Sequence, residues 1–362
     1  MTEKEIMKTP PESPMRTSFL TDGANLLSSI VAAVSMLFFF SCEIEDDFGK
    51  PDNSYNFGTL IYTAQFDGIL KLFWNEQTNQ IISIGNSIAL IDAASKKSTQ
   101  VNVSNFIYGG YDLSWVAGNT LYYVDNYGVL SSVNVTNGLR TVLADSVIQY
   151  DGGAMSPDYV AFAKWDKDDP NEPYVYFLNL KTSKEMLVTL GTPKAFSPDG
   201  QTLLFSRQNG NGRDFYIYSI PTKAITPLTL QDPTSYTSVI KWTSAGIMFY
   251  SQSYNGKTGV FNGSTNKALG EWGNTVQFIY GSISPSGRKI ITYREECASK
   301  SSLPNCYTYF IQRYYVVDTT TGTEKEVIHG NNLYPTQFAF SPDENSLVYS
   351  MNTGIYLIQT LE

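Results

Sequence analysis

A short motif that recurs along the chain constrains its fold more than any other feature of the sequence. Four segments read as a short strand, a Ser-Pro turn and a second apolar strand: residues 154–163, 195–206, 282–293 and 339–350. In the clearest copy, Pro198 fixes φ at about −65°, Asp199 can accept hydrogen bonds from nearby backbone, and Gly200 tolerates positive φ. The predicted turn residues are Ser156, Pro157 and Asp158; Ser197, Pro198, Asp199 and Gly200; Ser284, Pro285 and Gly287; and Ser341, Pro342 and Asp343.

Three weaker copies fill the gaps, at residues 70–84, 111–124 and 239–251. An aromatic or apolar residue then recurs at equivalent places in the first strand: Trp74, Trp115, Met155, Phe196, Trp242, Ile283 and Phe340. Each copy continues into a third strand, and most continue into a polar turn and a fourth strand. Four strands in about forty residues are typical of a propeller blade, so the sequence predicts seven copies of one sheet.

The two ends of the repeat region complement each other. The last copy stops at residue 362 after three strands, while residues 58–66 (GTLIYTAQF) form a strand with no copy of their own. This N-terminal strand is predicted to complete the last blade by pairing with residues 355–358, which removes exposed sheet edges. The predicted fold class is all-β, a β-propeller of seven four-stranded blades over residues 58–362. Because the first copy is weak, six and eight blades remain alternatives.

The Ser-Pro-Asp-Gly copies resemble the WD40-like repeats of TolB-type periplasmic propellers and of prolyl-oligopeptidase and dipeptidyl-peptidase relatives. Residues 225–229 (ITPLT), which close one copy, are in the same style. The resemblance covers residues 58–362 and implies a propeller. It implies little about function, because propellers host binding modules and many unrelated enzymes.

A predicted targeting segment precedes the repeats. Residues 26–42 (LLSSIVAAVSMLFFFSC) are apolar and uncharged, and their length is typical of a signal-peptide core rather than a membrane span. The run ends at Ser41-Cys42 and resembles a lipobox, which implies that Cys42 is acylated. We therefore predict a lipoprotein signal peptide at residues 1–41, with Met15 as an alternative start, and an acidic tether at residues 42–57. An uncleaved signal anchor is the alternative.

The lipobox resemblance also implies a location. It places the protein in a bacterial cell envelope, held to the outer membrane through Cys42, and leaves periplasmic and surface-facing orientations open. Cys297 and Cys306 stand nine residues apart in a polar segment, where two cysteines of an exported chain can close a loop disulfide. Two free thiols are the alternative.

Composition and motifs bound the chemistry. The net charge is −9 and the sequence contains no run of Lys and Arg, which argues against nucleic-acid binding. The single histidine, His329, is predicted in a loop after a fourth strand, and no catalytic triad, zinc motif or phosphate-binding loop is present. The acidic residues 166–172 could bind Ca²⁺, but their spacing does not match an EF-hand and a solvated loop is favoured. We predict no catalytic residues and no cofactor.

The sequence is compatible with two functions. The leading hypothesis is a non-enzymatic binding or scaffold module for a protein, peptide or glycan. The alternative is a carboxylate-based or Ca²⁺-dependent hydrolase or lyase with its site on the propeller axis. The tryptophans of the repeat are predicted to pack between blades, whereas tyrosines in loops are free to contact a partner. Those tyrosines are Tyr108, Tyr111, Tyr127, Tyr236 and Tyr254.

Overall fold

A computed structural model describes residues 57–64, 71–75, 77–103, 106, 113–149, 152–165, 172–210, 212–229, 238–252, 258–263, 267–272, 276–297, 310–331, 335–359 and 361. These residues form β-strands and their connections. Among them there is no helix long and apolar enough to cross a membrane.

The strands form seven four-stranded antiparallel sheets, which we number as blades in chain order. Strand β1 (Thr59–Thr63) comes first in the chain. Blade 1 contains β2 (Lys71–Asn75), β3 (Gln80–Ile84), β4 (Ile88–Asp92) and β5 (Ser98–Val101). Blade 2 contains β6 (Ser114–Ala117), β7 (Thr120–Val124), β8 (Leu130–Asn134) and β9 (Arg140–Ala144). Blade 3 contains β10 (Gly153–Met155), β11 (Tyr159–Lys164), β12 (Tyr174–Asn179) and β13 (Lys184–Leu190).

The remaining blades repeat this order. Blade 4 contains β14 (Thr192–Phe196), β15 (Thr202–Asn209), β16 (Gly212–Ser219) and β17 (Ile225–Leu228). Blade 5 contains β18 (Ser238–Thr243), β19 (Gly246–Gln252), β20 (Thr258–Asn262) and β21 (Lys267–Trp272). Blade 6 contains β22 (Val276–Ile283), β23 (Lys289–Cys297), β24 (Phe310–Asp318) and β25 (Glu324–Asn331). Blade 7 contains β26 (Gln337–Phe340), β27 (Ser346–Met351), β28 (Gly354–Gln359) and, as its fourth strand, β1.

The N-terminal strand closes the ring as predicted. Strand β1 pairs antiparallel with β28, with Thr59 opposite Leu357 and Thr63 opposite Gly354. Ile61 is buried in a cluster that joins blades 7 and 1, where it lies with Ile81 and Val348. The hydroxyl of buried Tyr349 donates a hydrogen bond of 2.6 Å to the backbone oxygen of Phe57. The first strand of the repeat region is thereby held against the last blade.

Seven hydrophobic clusters lie between successive blades and complete a cycle. One joins blades 3 and 4 and contains Phe177 and Phe205, and another joins blades 6 and 7 and contains Tyr314 and Phe338. Because blades are covered on both faces, their second and third strands are buried along most of their length, as the middle four residues of β11 are. Outer strands are more exposed to solvent, and the first four residues of β13 are exposed.

One predicted repeat position was wrong by a single residue. Trp115 packs in the cluster that joins blades 2 and 3, whereas the other equivalent residues face the preceding blade. Its neighbour Val116 packs against blade 1 and pairs with Leu121, so Val116 is the true equivalent. Side chains alternate between the two faces of a strand, so a shift of one residue moves a side chain to the opposite face. Trp115 still packs between blades, as predicted for the tryptophans.

The turn between the third and fourth strands has one design in five blades. The residues that end the third strand are Asp92, Asn134, Asn179, Ser219 and Asp318, and each backbone oxygen accepts a hydrogen bond from the amide four residues later. The residues in that later position all have positive φ: Lys96, Gly138, Ser183, Lys223 and Gly322. In four of the turns an Asp or Asn side chain also accepts hydrogen bonds from backbone amides, as Asp92 does from Ser95 at 2.6 Å.

Candidate functional site

The predicted Ser-Pro turns join the first and second strands of their blades. In blade 4, Ser197 Oγ accepts a hydrogen bond from the Thr202 amide at 3.0 Å and donates to Asp199 Oδ1 at 2.6 Å. Gly200 follows with φ of +68°. Blade 7 repeats this arrangement with Ser341 and Asp343. The turn chemistry expected from the motif is therefore present.

These turns also connect neighbouring blades. A Cβ on Gly200 would come within 3.1 Å of Ser156 Cβ, so blades 3 and 4 approach closely there. Glu344 occupies the corresponding position of blade 7 with φ of 60° and reaches blade 6, where its carboxylate accepts from the Ser286 amide at 2.6 Å and from the Ser286 hydroxyl at 2.9 Å. Lys289 Nζ donates to the Glu344 backbone oxygen at 2.9 Å. The repeat motif thus braces one end of the ring.

The other turn residues have smaller roles. The backbone of Ser156 pairs with that of Tyr159, and Asp158 forms an ion pair of 2.7 Å with Lys181. Ser284 Oγ accepts from the Lys289 amide at 3.0 Å. Pro157 and Pro198 are exposed, and Pro285 and Pro342 are half-buried.

The turn aspartates predict how stability responds to acid. Hydrogen bonds from Ser197 and from Ser341 hold the pKa values of Asp199 and Asp343 below their ordinary range. A carboxyl whose pKa is lower in the folded state contributes stability at high pH, and this is lost as the pH falls through the folded pKa. We therefore expect melting temperatures to fall below about pH 4. In an Asp199→Asn/Asp343→Asn variant this fall should be smaller, as measured by calorimetry.

A single substitution controls for the loss of a carboxylate outside these turns. Asp145 is exposed and lies outside such turns, so Asp145→Asn should leave the acid profile as it is in the unmodified chain. An equally steep loss of stability in the double variant would show that the turn aspartates do not contribute.

We call the end of each blade that carries these turns and the third-to-fourth-strand turns the turn end. The opposite end, the connection end, carries the links from second to third strands and from each blade to the next. Functional residues in repeat folds often lie on such variable connections.

Tyr127 projects from the connection end of blade 2. Its side chain is 75% exposed, yet the turn beneath it is well braced. Asp125 Oδ1 accepts hydrogen bonds from the amides of Tyr127 at 2.9 Å and Val129 at 3.0 Å. Asp125 is buried and is paired with Arg140 at 3.4 Å. An exposed ring on a rigid support is pre-organised for contact with a ligand.

Trp165 lies on the next blade at the same end. It directly follows β11 and is 52% exposed. A short backbone bridge links the supports of the two rings, because the Val147 amide donates to Gly128 at 2.9 Å and the Ile148 amide donates to Ala163 at 2.8 Å. Tyr127 and Trp165 therefore stand on adjoining, mutually braced elements. We call these two residues the aromatic pair.

A groove of about 530 Å³ lies where the ring closes. It is lined by four residues of β1, Leu60, Ile61, Tyr62 and Thr63, and by Ser98 and Gln100 of β5. Burial raises the pKa of Tyr62 above its ordinary value, so its phenol stays neutral near pH 7. The described lining offers this phenol, hydroxyl groups and an amide, and contains no carboxylate, amine or imidazole.

Several predicted site residues lie outside the described part of the chain. These are Cys42, Cys306, residues 166–171 of the acidic segment, and the loop tyrosines Tyr108, Tyr111, Tyr236 and Tyr254. The disulfide between Cys297 and Cys306 and the acylation of Cys42 therefore stay predictions. Cys297 ends β23. Within the described ranges there is no group of three or more His, Cys, Asp or Glu residues that could hold a metal ion.

The prediction that His329 lies in a loop was wrong. His329 is part of β25, opposite Arg313 on β24, and its Nδ1 lies 2.8 Å from Glu326 Oε1. Arg313 also pairs with Glu326, at 2.9 Å. The strand continues to Asn331 because its backbone stays paired with β24, so the Gly-Asn-Asn sequence after the histidine does not end the sheet where propensity alone would.

Trp165 and the braced turn below Tyr127 were not predicted from the sequence. The signal for Trp165 was available, because it is a tryptophan outside the repeat frame, placed where a second strand ends. The brace depends on Asp125, which follows β7, and Arg140, which begins β9; they are fifteen residues apart, and spacing alone does not bring them together.

Seven four-stranded blades, seven cores between them and a last blade completed by the first strand define a seven-bladed β-propeller. No protein-family model matches the chain, and neither does any curated protein. Among solved structures it is similar to an oligogalacturonate lyase from Vibrio parahaemolyticus, with 11% identity, a TM-score of 0.58, and coverage of 83% of this chain and 92% of the lyase.

A second solved structure widens the comparison. The chain is similar to a component of the mitotic checkpoint complex, with 11% identity, a TM-score of 0.51, and coverage of 83% of this chain and 93% of the other. At this identity the likenesses show the fold alone, and one fold carries many functions. The β-propeller and its WD40-like character are confirmed; the TolB-type relationship and the lipid anchor are not tested by these likenesses.

Proposed function

We propose that this protein is a lipid-anchored propeller of the bacterial cell envelope that binds an oligosaccharide at its connection end. The observation that carries the binding site is the aromatic pair, two exposed rings on braced supports. The anchor rests on the apolar run that ends at Ser41-Cys42. Acylated Cys42 would hold the protein at the membrane.

An oligosaccharide suits the aromatic pair better than a protein partner does. Tyr and Trp present flat apolar faces together with a polar group, which fits the mixed apolar and hydroxyl surface of a sugar ring. Protein interfaces bury about 800 Å² on each partner around an apolar centre. At the connection end, the large hydrophobic side chains that are exposed in the described residues are Tyr127 and Trp165 alone, and two isolated rings match a few sugar units.

Binding measurements test this site directly. We expect the full chain to bind at least one member of a panel of neutral and acidic oligosaccharides. Loss of a stacked ring removes a contact worth on the order of 1 kcal/mol beyond the area that it buries. We therefore expect Tyr127→Ala and Trp165→Ala each to weaken binding about tenfold or more in isothermal titration calorimetry.

The control is an exposed apolar residue far from the connection end. Leu139 is 66% exposed and lies beside a turn at the turn end of blade 2, so Leu139→Ala should leave the affinity unchanged. Equal affinities for the unmodified chain and both aromatic variants would remove the aromatic pair as the ligand site.

The similarity to a lyase supports a second candidate, an enzyme that acts on an acidic oligosaccharide. Incubation with oligogalacturonate and analysis of the products distinguishes the two functions. Binding without cleavage fits the proposed module, whereas cleavage would replace it with the enzyme.

The anchor predicts an all-or-none change in partitioning. Stable attachment to a bilayer requires two acyl chains or an equivalent second signal. We expect the unmodified chain to partition into the membrane and detergent fractions, and Cys42→Ala to move it to the aqueous fraction. Cys297→Ala is the control and should stay with the membrane. Unchanged partitioning of Cys42→Ala would favour the uncleaved signal anchor.

A further inference from the structure

The exposed apolar side chains of the described residues fall into two groups. One is the aromatic pair at the connection end. The other lies on or beside the outer strands of blades 7, 2, 3 and 4, and contains Leu60, Leu139, Val142, Met186, Leu187 and Ile225, which are 40–66% exposed. Five of these six form an arc over three consecutive blades, near the start of each outer strand and hence near the turn end.

Lysines accompany this arc. The turns between the third and fourth strands in blades 1, 3 and 4 carry five exposed lysines, which are Lys96, Lys97, Lys181, Lys184 and Lys223. We call these lysines, together with Leu139, Val142, Met186, Leu187 and Ile225, the rim. The chain as a whole has a net charge of −9, so a cluster of lysines on its edge runs against its overall composition.

Two of these lysines occupy a backbone conformation that disfavours them. Lys96 and Lys223 both have φ of 58°, at the turn position where blades 2 and 6 have glycine. A side chain other than glycine in the left-handed region carries a conformational cost, which is characteristically tolerated at functional sites. At these two turns a charged side chain therefore stands where glycine would relieve the strain.

The acidic neighbours of the rim are occupied in local contacts. Asp92 and Asp199 accept hydrogen bonds from their own turns, Asp158 is paired with Lys181, and Glu185 is paired with Lys164 at 2.7 Å. Four of the lysines, all but Lys181, form no ion pair among the described contacts. Apolar side chains flanked by flexible ammonium groups match the boundary between acyl chains and anionic headgroups in a bilayer.

The path of the chain leads to the same end of the ring. Strand β1 runs antiparallel to β28 and therefore starts at the turn end, where Tyr349 holds Phe57. The described part of the chain therefore begins at the turn end, the same end of the ring as the rim.

We propose that the rim lies on the anionic surface of the membrane, which leaves the aromatic pair facing away from it. This rests on the proposed lipid anchor for its geometry, but contact between the rim and lipid is testable without the anchor. The arrangement would give the propeller a fixed orientation, with its ligand site presented to the surrounding compartment.

Hydrogen exchange of the full chain in nanodiscs tests the orientation. We expect amides of residues 181–190 to exchange more slowly in nanodiscs that contain phosphatidylglycerol than in detergent micelles. Amides of residues 125–130, beside Tyr127, should exchange equally in both. Equal exchange of residues 181–190 in the two settings would overturn the proposal even if Cys42 is acylated.

Vesicle co-sedimentation of the Cys42→Ala chain tests the chemistry. It should bind phosphatidylglycerol vesicles and not phosphatidylcholine vesicles. Each lysine near such a surface contributes about fivefold in affinity, so Lys184→Ala/Lys223→Ala should weaken binding about 25-fold. The control pair, Lys71→Ala/Arg213→Ala, carries the same charge change at the connection end and should alter binding less than twofold.

The outcomes separate the two proposals. If Cys42→Ala leaves partitioning unchanged but the rim is protected and the lysine pair matters, the lipid anchor fails and the rim stands. If equal losses follow both double variants, binding is unspecific and the rim proposal fails. If sedimentation velocity shows a dimer that Leu187→Glu dissociates, the rim is a contact between copies and the membrane proposal fails.

Discussion

A chain that starts at Asp67, and so lacks β1, is expected to melt roughly 10 °C below a chain that starts at Tyr55. The truncation removes the outer strand of blade 7, together with its pairing to β28 and the burial of Ile61. A fully buried isoleucine contributes about 1.5–3 kcal/mol, and each lost hydrogen bond about 1 kcal/mol. A total of about 5 kcal/mol corresponds to the stated shift for a unit of this size.

The two chain starts form a matched comparison. The compact unit of the fold begins at Tyr55, so a chain that starts there retains the whole propeller and should melt like the full chain. Differential scanning calorimetry provides the measurement. A chain without β1 that melts at the same temperature would show that the ring is stable without its closing strand, and that three strands suffice for blade 7.

The repeat motif made most of this fold predictable. This turn requires a proline, a hydrogen-bonding side chain and a residue that tolerates positive φ, so few sequences can form it. The segment from Ser197 to Gly200 meets all three requirements. Four such turns, three weaker copies that lack the turn and an unassigned strand at the start together predicted both the number of blades and their closure. The orientation of Trp115 could not be predicted in this way. In a copy without the motif, nothing in the sequence distinguishes it from Val116, and only packing decides which of them faces the preceding blade.

The candidate site was much less predictable than the fold. Tyr127 was expected to be free for a partner, and it is exposed. Its support was not foreseen, because it joins Asp125 to Arg140 across strands and to a bridge from the following connection. Polar turns after the third strands were predicted, but their shared hydrogen bonding was not, although an Asp or Asn ends that strand in five blades. The rest of each turn has little sequence in common with the others, so comparison of the copies does not reveal the hydrogen bonds that they share.

The two ends of the ring differ in a way that bears on function. At the turn end, Ser-Pro turns and Glu344 tie neighbouring blades together and fix the scaffold. At the connection end, loop lengths vary, and the aromatic pair stands on its own braces. Regular repeats therefore supply rigidity at one end and leave the other free to diversify.

The second large effect is expected from Phe177, at the centre of the core between blades 3 and 4. Its ring is fully buried, and its centroid lies 5.5 Å from that of Phe196 and 5.9 Å from that of Tyr218. Truncation removes a large apolar surface and leaves a cavity between two rigid sheets, which cannot collapse to fill it. We expect Phe177→Ala to lower the free energy of unfolding by about 4 kcal/mol and Phe177→Leu by about 1 kcal/mol.

Urea denaturation of the same variants distinguishes packing in this core from a general effect on blade 3. Met186 pairs directly with Phe177 across β12 and β13 but is 44% exposed, so Met186→Ala should change stability by no more than about 0.5 kcal/mol. A similar loss in both alanine variants would mean that the sheet, rather than the core between blades, carries the stability. A small loss for Phe177→Ala would mean that neighbouring blades move to fill the space, in which case the ring is held by its strand pairing and braced turns more than by its inter-blade cores.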